Sequence, residues 1–368
     1  MCYSAREKGI TKLESALIIA LIVASILGGY AWIARPPAPT QAPTPAPALR
    51  TITIVDSAGR YVEVPWPVKR IADLSGYAAM VLTELGAKDT IVGISTYQKN
   101  DPWAPNVTDI GYWGKPNIEA IIATKPEVVI TLVRWPKPGE LEEKLEPLGI
   151  RVVRLDLYKI ETLFSETKLL GLLVNKTREA DELIKYWKGV LDLIEQRIVK
   201  IRPEQRVRVY WEHFTDYTTV GPGSGYDELI RLAGGINVFA ESPVPFPRVS
   251  AEAVIEKNPD VILKAAPSTV VGRPYGLTDP APLKEIRDRI SARPGWANIK
   301  AVKEGRIYLL FTGQADGFGR IALLTYVAKA FYPDLFRDVS PEAYLEHWLK
   351  NNLGIEPTGI WFYPPLGE

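Results

Sequence analysis

Residues 117–130 read Asn-Ile-Glu-Ala-Ile-Ile-Ala-Thr-Lys-Pro-Glu-Val-Val-Ile, and residues 250–263 read Ser-Ala-Glu-Ala-Val-Ile-Glu-Lys-Asn-Pro-Asp-Val-Ile-Leu. The two stretches align without a gap: cap residue, Glu-Ala, two apolar residues, a proline, an acid and an apolar run. Each copy predicts a short capped helix, a proline-marked turn and a buried strand. Between the copies, residues 177–201 carry Ala180, Leu183, Ile184, Trp187, Leu191, Ile194, Ile198 and Ile201 at three- and four-residue steps. That spacing is one apolar face of a helix. Thr177 is placed to cap it, Glu179 suits its first turn and Pro203 stops it. The rod spans about 35 Å. A repeated unit on either side of a stiff rod predicts two similar lobes joined by one strut, with a crevice between them suited to a small ligand.

The remaining elements fit that plan. Strands alternate with helices on both sides of the rod, so the fold class is α/β with mainly parallel sheets. The expected division is 1–35 as a cytoplasmic stub and membrane anchor, 36–49 as a Pro-rich linker, 50–176 as a first lobe, 177–201 as the connecting helix and 202–368 as a second lobe. Residues 220–225, Val-Gly-Pro-Gly-Ser-Gly, enter a helix either as a plain turn or as a cradle for an anion. They lack the Lys-Ser/Thr of a phosphate loop.

Composition excludes several functions. The 368 residues carry a net charge of +1, which gives no electrostatic footprint for nucleic acid. The single cysteine, Cys2, rules out an intramolecular disulfide framework and a cysteine-based metal cluster. Two histidines, His213 and His347, do not make an all-protein zinc site. No Ser/His/Asp or Cys/His arrangement is present, so the chain is expected to be no enzyme and to need no cofactor of its own.

Residues 15–34 are uncharged and almost wholly apolar, long enough to span a bilayer. Arg6, Lys8 and Lys12 precede them, which favours an N-terminus inside the cell. Residues 36–47 alternate Pro with Ala, Thr and Gln and predict an extended spacer of about 35 Å. The globular part is thus expected on the outer face, anchored by one span. Asn106 and Asn175 head glycosylation sequons suited to that location. Residues 8–14, Lys-Gly-Ile-Thr-Lys-Leu-Glu, resemble the start of type IV pilin-like precursors. That resemblance implies a dedicated peptidase cutting after Gly9.

Further residues carry a second resemblance. They are 92–97 (Val-Gly-Ile-Ser-Thr-Tyr), 110–114 (Ile-Gly-Tyr-Trp-Gly), both repeat copies, 234–237 (Gly-Gly-Ile-Asn) and 244–250 (Val-Pro-Phe-Pro-Arg-Val-Ser). With them, the chain from about residue 50 to 353 resembles the iron-siderophore and cobalamin class of ABC-importer solute-binding proteins. The resemblance implies two α/β lobes on a long rigid helix and a partner permease. It further implies that Glu119 and Glu252, in equivalent first turns, dock on permease arginines. It places Tyr97, Trp113 and Phe246 at ligand-facing positions. Trp211, Phe214 and Tyr217 lie on or just after a strand expected to end at the cleft, where flat rings bury a large chelate. Arg273 and Arg320 are candidates to pair with an anionic ligand. His213 is a candidate iron or haem ligand, with a hydrogen-bonded structural role as the plainer reading. The transported ligand is expected to contain iron or cobalt as a ferric siderophore, corrinoid or haem. Two other readings stand beside this one: a pilus-like surface subunit, from residues 9–34, and a chelatase of related nitrogenase-like fold.

Overall fold

The computed structural model describes residues 11–33 and 50–367. It divides into two units, residues 1–48 and 49–368. In the first unit a helix runs over Lys12–Ile33. Among the described residues, no helix is long and apolar enough to cross a membrane. Gly9, the Pro-rich spacer and the cytoplasmic stub lie outside the described residues.

The second unit holds the strands β1 (Thr51–Val55), β2 (Tyr61–Pro65), β3 (Ile71–Asp73), β4 (Ile91–Ile94), β5 (Thr108–Asp109), β6 (Gly111–Tyr112), β7 (Lys115–Pro116), β8 (Val128–Thr131), β9 (Arg151–Arg154), β10 (Arg208–Glu212), β11 (Ile236–Asn237), β12 (Val261–Ala265), β13 (Ile307–Leu310) and β14 (Phe362–Tyr363). Strands β5-β4-β3-β8-β9 form one sheet, parallel throughout. Strands β11-β10-β12-β13-β14 form the other, parallel except at β14. In each sheet the chain first winds to one side and then returns to the other. The reversal falls between β3 and β8 in the first sheet, and between β10 and β12 in the second. Open α/β sheets bind ligands at that point, outside the carboxyl ends of the strands.

The repeat folds the same way twice. Asn117 caps Ile118–Ala123 by accepting from the Ala120 N–H at 3.0 Å, and β8 follows. Ser250 caps Ala251–Lys257 by accepting from the Ala253 N–H at 3.1 Å, and β12 follows. Both strands are fully buried, which explains their unbroken apolar runs.

The rod is a helix over Thr177–Ile198, shorter at its end than the 177–201 expected. Thr177 opens the helix rather than capping it. Lys176 holds the cap position without a side-chain cap bond, and its ammonium reaches Glu179 at 2.9 Å. The helix buries Ala180, Ile184, Trp187, Val190 and Ile194. Trp187 lies 6.2 Å from Phe318, which in turn stacks on Phe164 of the helix Ile160–Leu173 at 6.0 Å. Glu228 of the second lobe accepts from the N–H groups of Ile160 and Glu161 at 2.8 and 2.6 Å, capping that helix across the lobes. The strut is therefore packed into a core shared by both sheets.

Candidate ligand-binding cleft

Turns that follow the carboxyl ends of the two sheets meet between the lobes, where they form the candidate floor. The Asp73 carboxylate at the end of β3 accepts from Ser75 Oγ at 2.6 Å and from the N–H groups of Ser75 and Ala79 at 2.9 and 2.8 Å. This closes a tight turn through Gly76 at φ +85°, where a Cβ would fall 2.8 Å from Gln98. The turn delivers Tyr77, whose ring lies 5.5 Å from that of Tyr158. From the other lobe come Tyr226 and Arg320. The Arg320 guanidinium carbon lies 5.1 Å from the Tyr226 ring and 6.0 Å from the Tyr158 ring.

Arg320 is 2% exposed and sits in the first turn of the helix Gly319–Phe331. Its Nη2 donates to Asp316 at 3.2 Å, while Nε and Nη1 are buried without a partner. A cation there opposes the helix dipole. Each unpaired buried donor costs about 1–3 kcal/mol. An oxyanion placed against Nη1 would satisfy a buried donor, offset the charge and use the helix N-terminus. The glycine-rich loop contributes Gly225, where a Cβ would lie 3.3 Å from Nη1. Burial pushes Asp316 up to about 6 against the pull of Arg320. Burial also raises Tyr77, with Asp316 and Tyr226 adding to it.

The rims are aromatic. On the first lobe, Tyr97 lies 4.9 Å from Tyr112, Tyr112 lies 5.9 Å from Trp113, and Trp113 lies 5.9 Å from Trp135. Tyr97 is 49% and Trp135 56% exposed. On the second lobe, His213 lies 4.3 Å from Phe214, 5.0 Å from Phe246 and 5.1 Å from Tyr226. Phe214 and Phe246 are exposed. Burial, then Lys264 and Arg320, lower His213 to about 4, so its imidazole is neutral at pH 7. Arg273 crosses between the lobes, pairing with the Asp101 carboxylate and donating to the Tyr97 carbonyl at 2.9 Å. Burial lifts Asp101 to about 6 despite that pairing.

The structure thus brings Phe214, Phe246, His213 and Arg320 into one neighbourhood, and sets Tyr97 and Trp113 on the facing rim. Trp211 is fully buried beneath Tyr226, their rings 5.3 Å apart. Tyr217 joins an ion-pair network instead of the ring cluster: it lies under the Arg293 guanidinium at 4.5 Å and against Trp296 at 6.1 Å. Arg273 is engaged by Asp101 rather than free. Glu119 and Glu252 are exposed in the first turns of their capped helices. Among the described residues, no group of three or more His, Cys, Asp or Glu side chains is placed to hold a metal ion.

Sequence reasoning missed Tyr77, Tyr158, Tyr226, Asp101, Asp316 and Trp135. Tyr226 carried one local signal, its place directly after the glycine-rich loop. The others are single residues in unrelated segments and carried none.

A two-lobed α/β fold with a polar floor and aromatic rims between the lobes is the architecture of a class of solute-binding proteins. The chain belongs to the periplasmic binding protein family, whose profile matches residues 71–311. Members of this family are binding proteins rather than enzymes. The chain is 28% identical over 326 residues to the molybdate-binding protein MolA of Haemophilus influenzae, covering 79% of this chain and 88% of that protein. It is 30% identical over 189 residues to the vitamin B12-binding protein of Salmonella typhi, covering 50% and 68% respectively. The solved TroA-like periplasmic binding protein FepB of Veillonella parvula has the same fold. Its TM-score is 0.69 at 24% identity, over 84% of this chain and 99% of that one.

Proposed function

We propose that this chain is the receptor of an ABC importer and captures a metal-bearing anion in the cleft, with an oxyanion group on Arg320. The observation that carries this reading is the buried guanidinium with two unpartnered nitrogens, Nε and Nη1, against the rings of Tyr158 and Tyr226. The exposed rings of Tyr97, Trp135, Phe214 and Phe246, with half-buried Trp113 beside them, favour an anionic metal chelate: a ferric siderophore, a corrinoid or haem. A compact oxyanion is the second reading. It is favoured by the close tyrosine packing around Arg320 and by similarity to a molybdate-binding protein across most of its length.

Glu119 and Glu252 act as the permease-docking pair. Each is exposed, and each stands in the first turn of an equivalent helix. Anions so placed set docking register more than affinity. The apolar residues 15–34 support a tether with the N-terminus inside and the globular part outside. N-terminal sequencing of the mature protein checks processing after Gly9.

The test is calorimetric titration of the purified chain with haemin, cobalamin, cobinamide, ferric siderophores and molybdate. The proposal expects saturable binding of one metal-bearing anion at one site per chain. Absence of binding across the panel, or equal binding of all its members, sinks it. Glu119→Ala with Glu252→Ala should leave binding intact and abolish uptake in cells; retained uptake removes the docking role.

A further inference from the structure

Behind each rim stands a fully buried cation. Arg154 ends β9 and is 0% exposed. In the parallel register it sits beside Thr131, the last residue of β8, from which the Trp135 loop departs. Its guanidinium donates to the carbonyls of Leu132 and Pro136, each at 2.9 Å, and to Val133 at 3.4 Å. Glu142 holds it from the other side, with Nε at 2.7 Å and Nη2 at 3.0 Å.

In the second lobe Lys264 is 1% exposed and pairs in parallel register with Glu212, the last residue of β10. The next residues along that chain are His213 and Phe214. The Lys264 ammonium donates to their carbonyls at 2.8 and 3.2 Å and pairs with Glu212 at 3.0 Å. Each cation is backed by a second cation and a second carboxylate. Arg60 joins Glu142 and Asp56, each at 2.7 Å. Arg293 joins Glu212 at 2.7 Å and Asp216 at 3.1 Å. Asp56 also accepts from the Arg154 N–H at 3.1 Å.

The two lobes have therefore arrived at one device by different residues. A loop leaving a strand end exposes carbonyls toward its own sheet. Left alone in a buried setting, each carbonyl would cost free energy. A cation on the neighbouring strand satisfies several at once, and its paired carboxylate offsets its charge. We propose that Arg154 and Lys264 are equivalent positioning residues that pre-set the two aromatic rims, one for Trp135 and one for His213 and Phe214. This rests on the reading of the cleft as the ligand site. Pre-set rims lower the ordering cost of binding, because the rings are in place before ligand arrives.

The experiment is amide hydrogen exchange, read peptide by peptide on the full-length chain without ligand. The variants are Arg154→Lys, Lys264→Gln and Lys264→Arg. Lysine at 154 keeps the charge and loses the planar fork that spans several carbonyls. Arg154→Lys should speed exchange at Val133 and Glu140 about tenfold, and Lys264→Gln should do the same at His213, Tyr217 and Thr218, with the strands unchanged. Lys264→Arg should restore protection. Affinity for whichever of haemin or molybdate the parent binds should fall about tenfold in the first two variants, a size typical of lost supporting partners. Unchanged exchange in both loops overturns the proposal, as does acceleration spread evenly over the whole chain. If Lys264→Gln does not fold, Arg154→Lys decides alone. Because the exchange is measured on the free chain, failure here is distinct from failure of the transport reading, which would show as no probe binding.

Discussion

The floor and the rims of the cleft are built on opposite principles. The floor is buried, polar and incompletely satisfied: Arg320 keeps two N–H groups without partners, among Tyr77, Tyr158 and Tyr226. The rims are aromatic and open, with Trp135, Tyr97, Phe214 and Phe246 facing solvent, yet the backbones around Trp135 and at Phe214 are tied by buried cations. Charge and hydrogen bonds discriminate in a dry floor, where they are strong. Stacking on an open rim is tolerant, because any flat group gains from it. The difference assigns recognition of the anionic group to the floor and accommodation of the rest of the ligand to the rims.

The largest effect should come from the floor. Arg320→Gln alone would leave Asp316 buried and unpaired, so it is combined with Asp316→Asn. The double variant should lose about 100-fold or more in affinity, as removal of a buried charged partner does. Its melting temperature should stay near that of the parent, read by calorimetry on the same samples. An affinity unchanged within threefold would move recognition from floor to rims.

Next in size is a pH effect behind the floor. The helix that begins after Tyr77 ends at Glu84, whose carboxylate accepts from Trp348 Nε1 at 2.7 Å. Burial pushes Glu84 up to about 8. Its neutral form is the one the fold favours, so its stabilisation is complete below pH 4.5 and is lost as pH rises through 8. Glu84→Gln keeps the acceptor and removes the ionisation. Parent and variant should unfold alike at pH 4, and at pH 8 the variant should be more stable by on the order of 3 kcal/mol. Denaturant unfolding at both pH values checks this.

The rims should give smaller changes that depend on the ligand. Trp113→Ala and Trp135→Ala should each weaken binding of a large planar chelate by about tenfold and of molybdate by less than about twofold. Equal losses for both would erase the division between floor and rims. The smallest effect is expected at Arg273→Ala. Its ion pair joins a part-exposed guanidinium to the buried Asp101, so the change is combined with Asp101→Asn to leave no unpaired buried carboxylate. Affinity should shift by about threefold or less, seen as a faster off-rate.

The legible and illegible parts of the chain divide along similar lines. The repeat was readable because its caps, its proline and its buried strands are local in sequence. Asn117, Ser250, β8 and β12 all depend on neighbours within a few residues. The rod was readable from its apolar period. Its C-terminal end was not, because helix ends depend on packing more than on periodicity. Trp113, Phe246 and Arg320 came from resemblance and from their residue types. Tyr77, Tyr158 and Tyr226 come from separate segments and meet only after both sheets and the strut are assembled. Tyr217 illustrates the reverse: its position after β10 suggested the cleft, but its backbone at φ +59° lies in the left-handed region and its ring lies against Arg293 and Trp296. The supporting cations, Arg154 and Lys264, read in sequence as ordinary charges. Burial is what gives them a role.

One measurement reaches the centre of all this: a crystal structure of the chain with the ligand that saturates it, using anomalous scattering from the metal. An anionic oxygen about 3 Å from Nε or Nη1 of Arg320, with the metal between the lobes, is the expected result. A metal bound elsewhere, or a filled cleft in which Arg320 still contacts only Asp316, would contradict it.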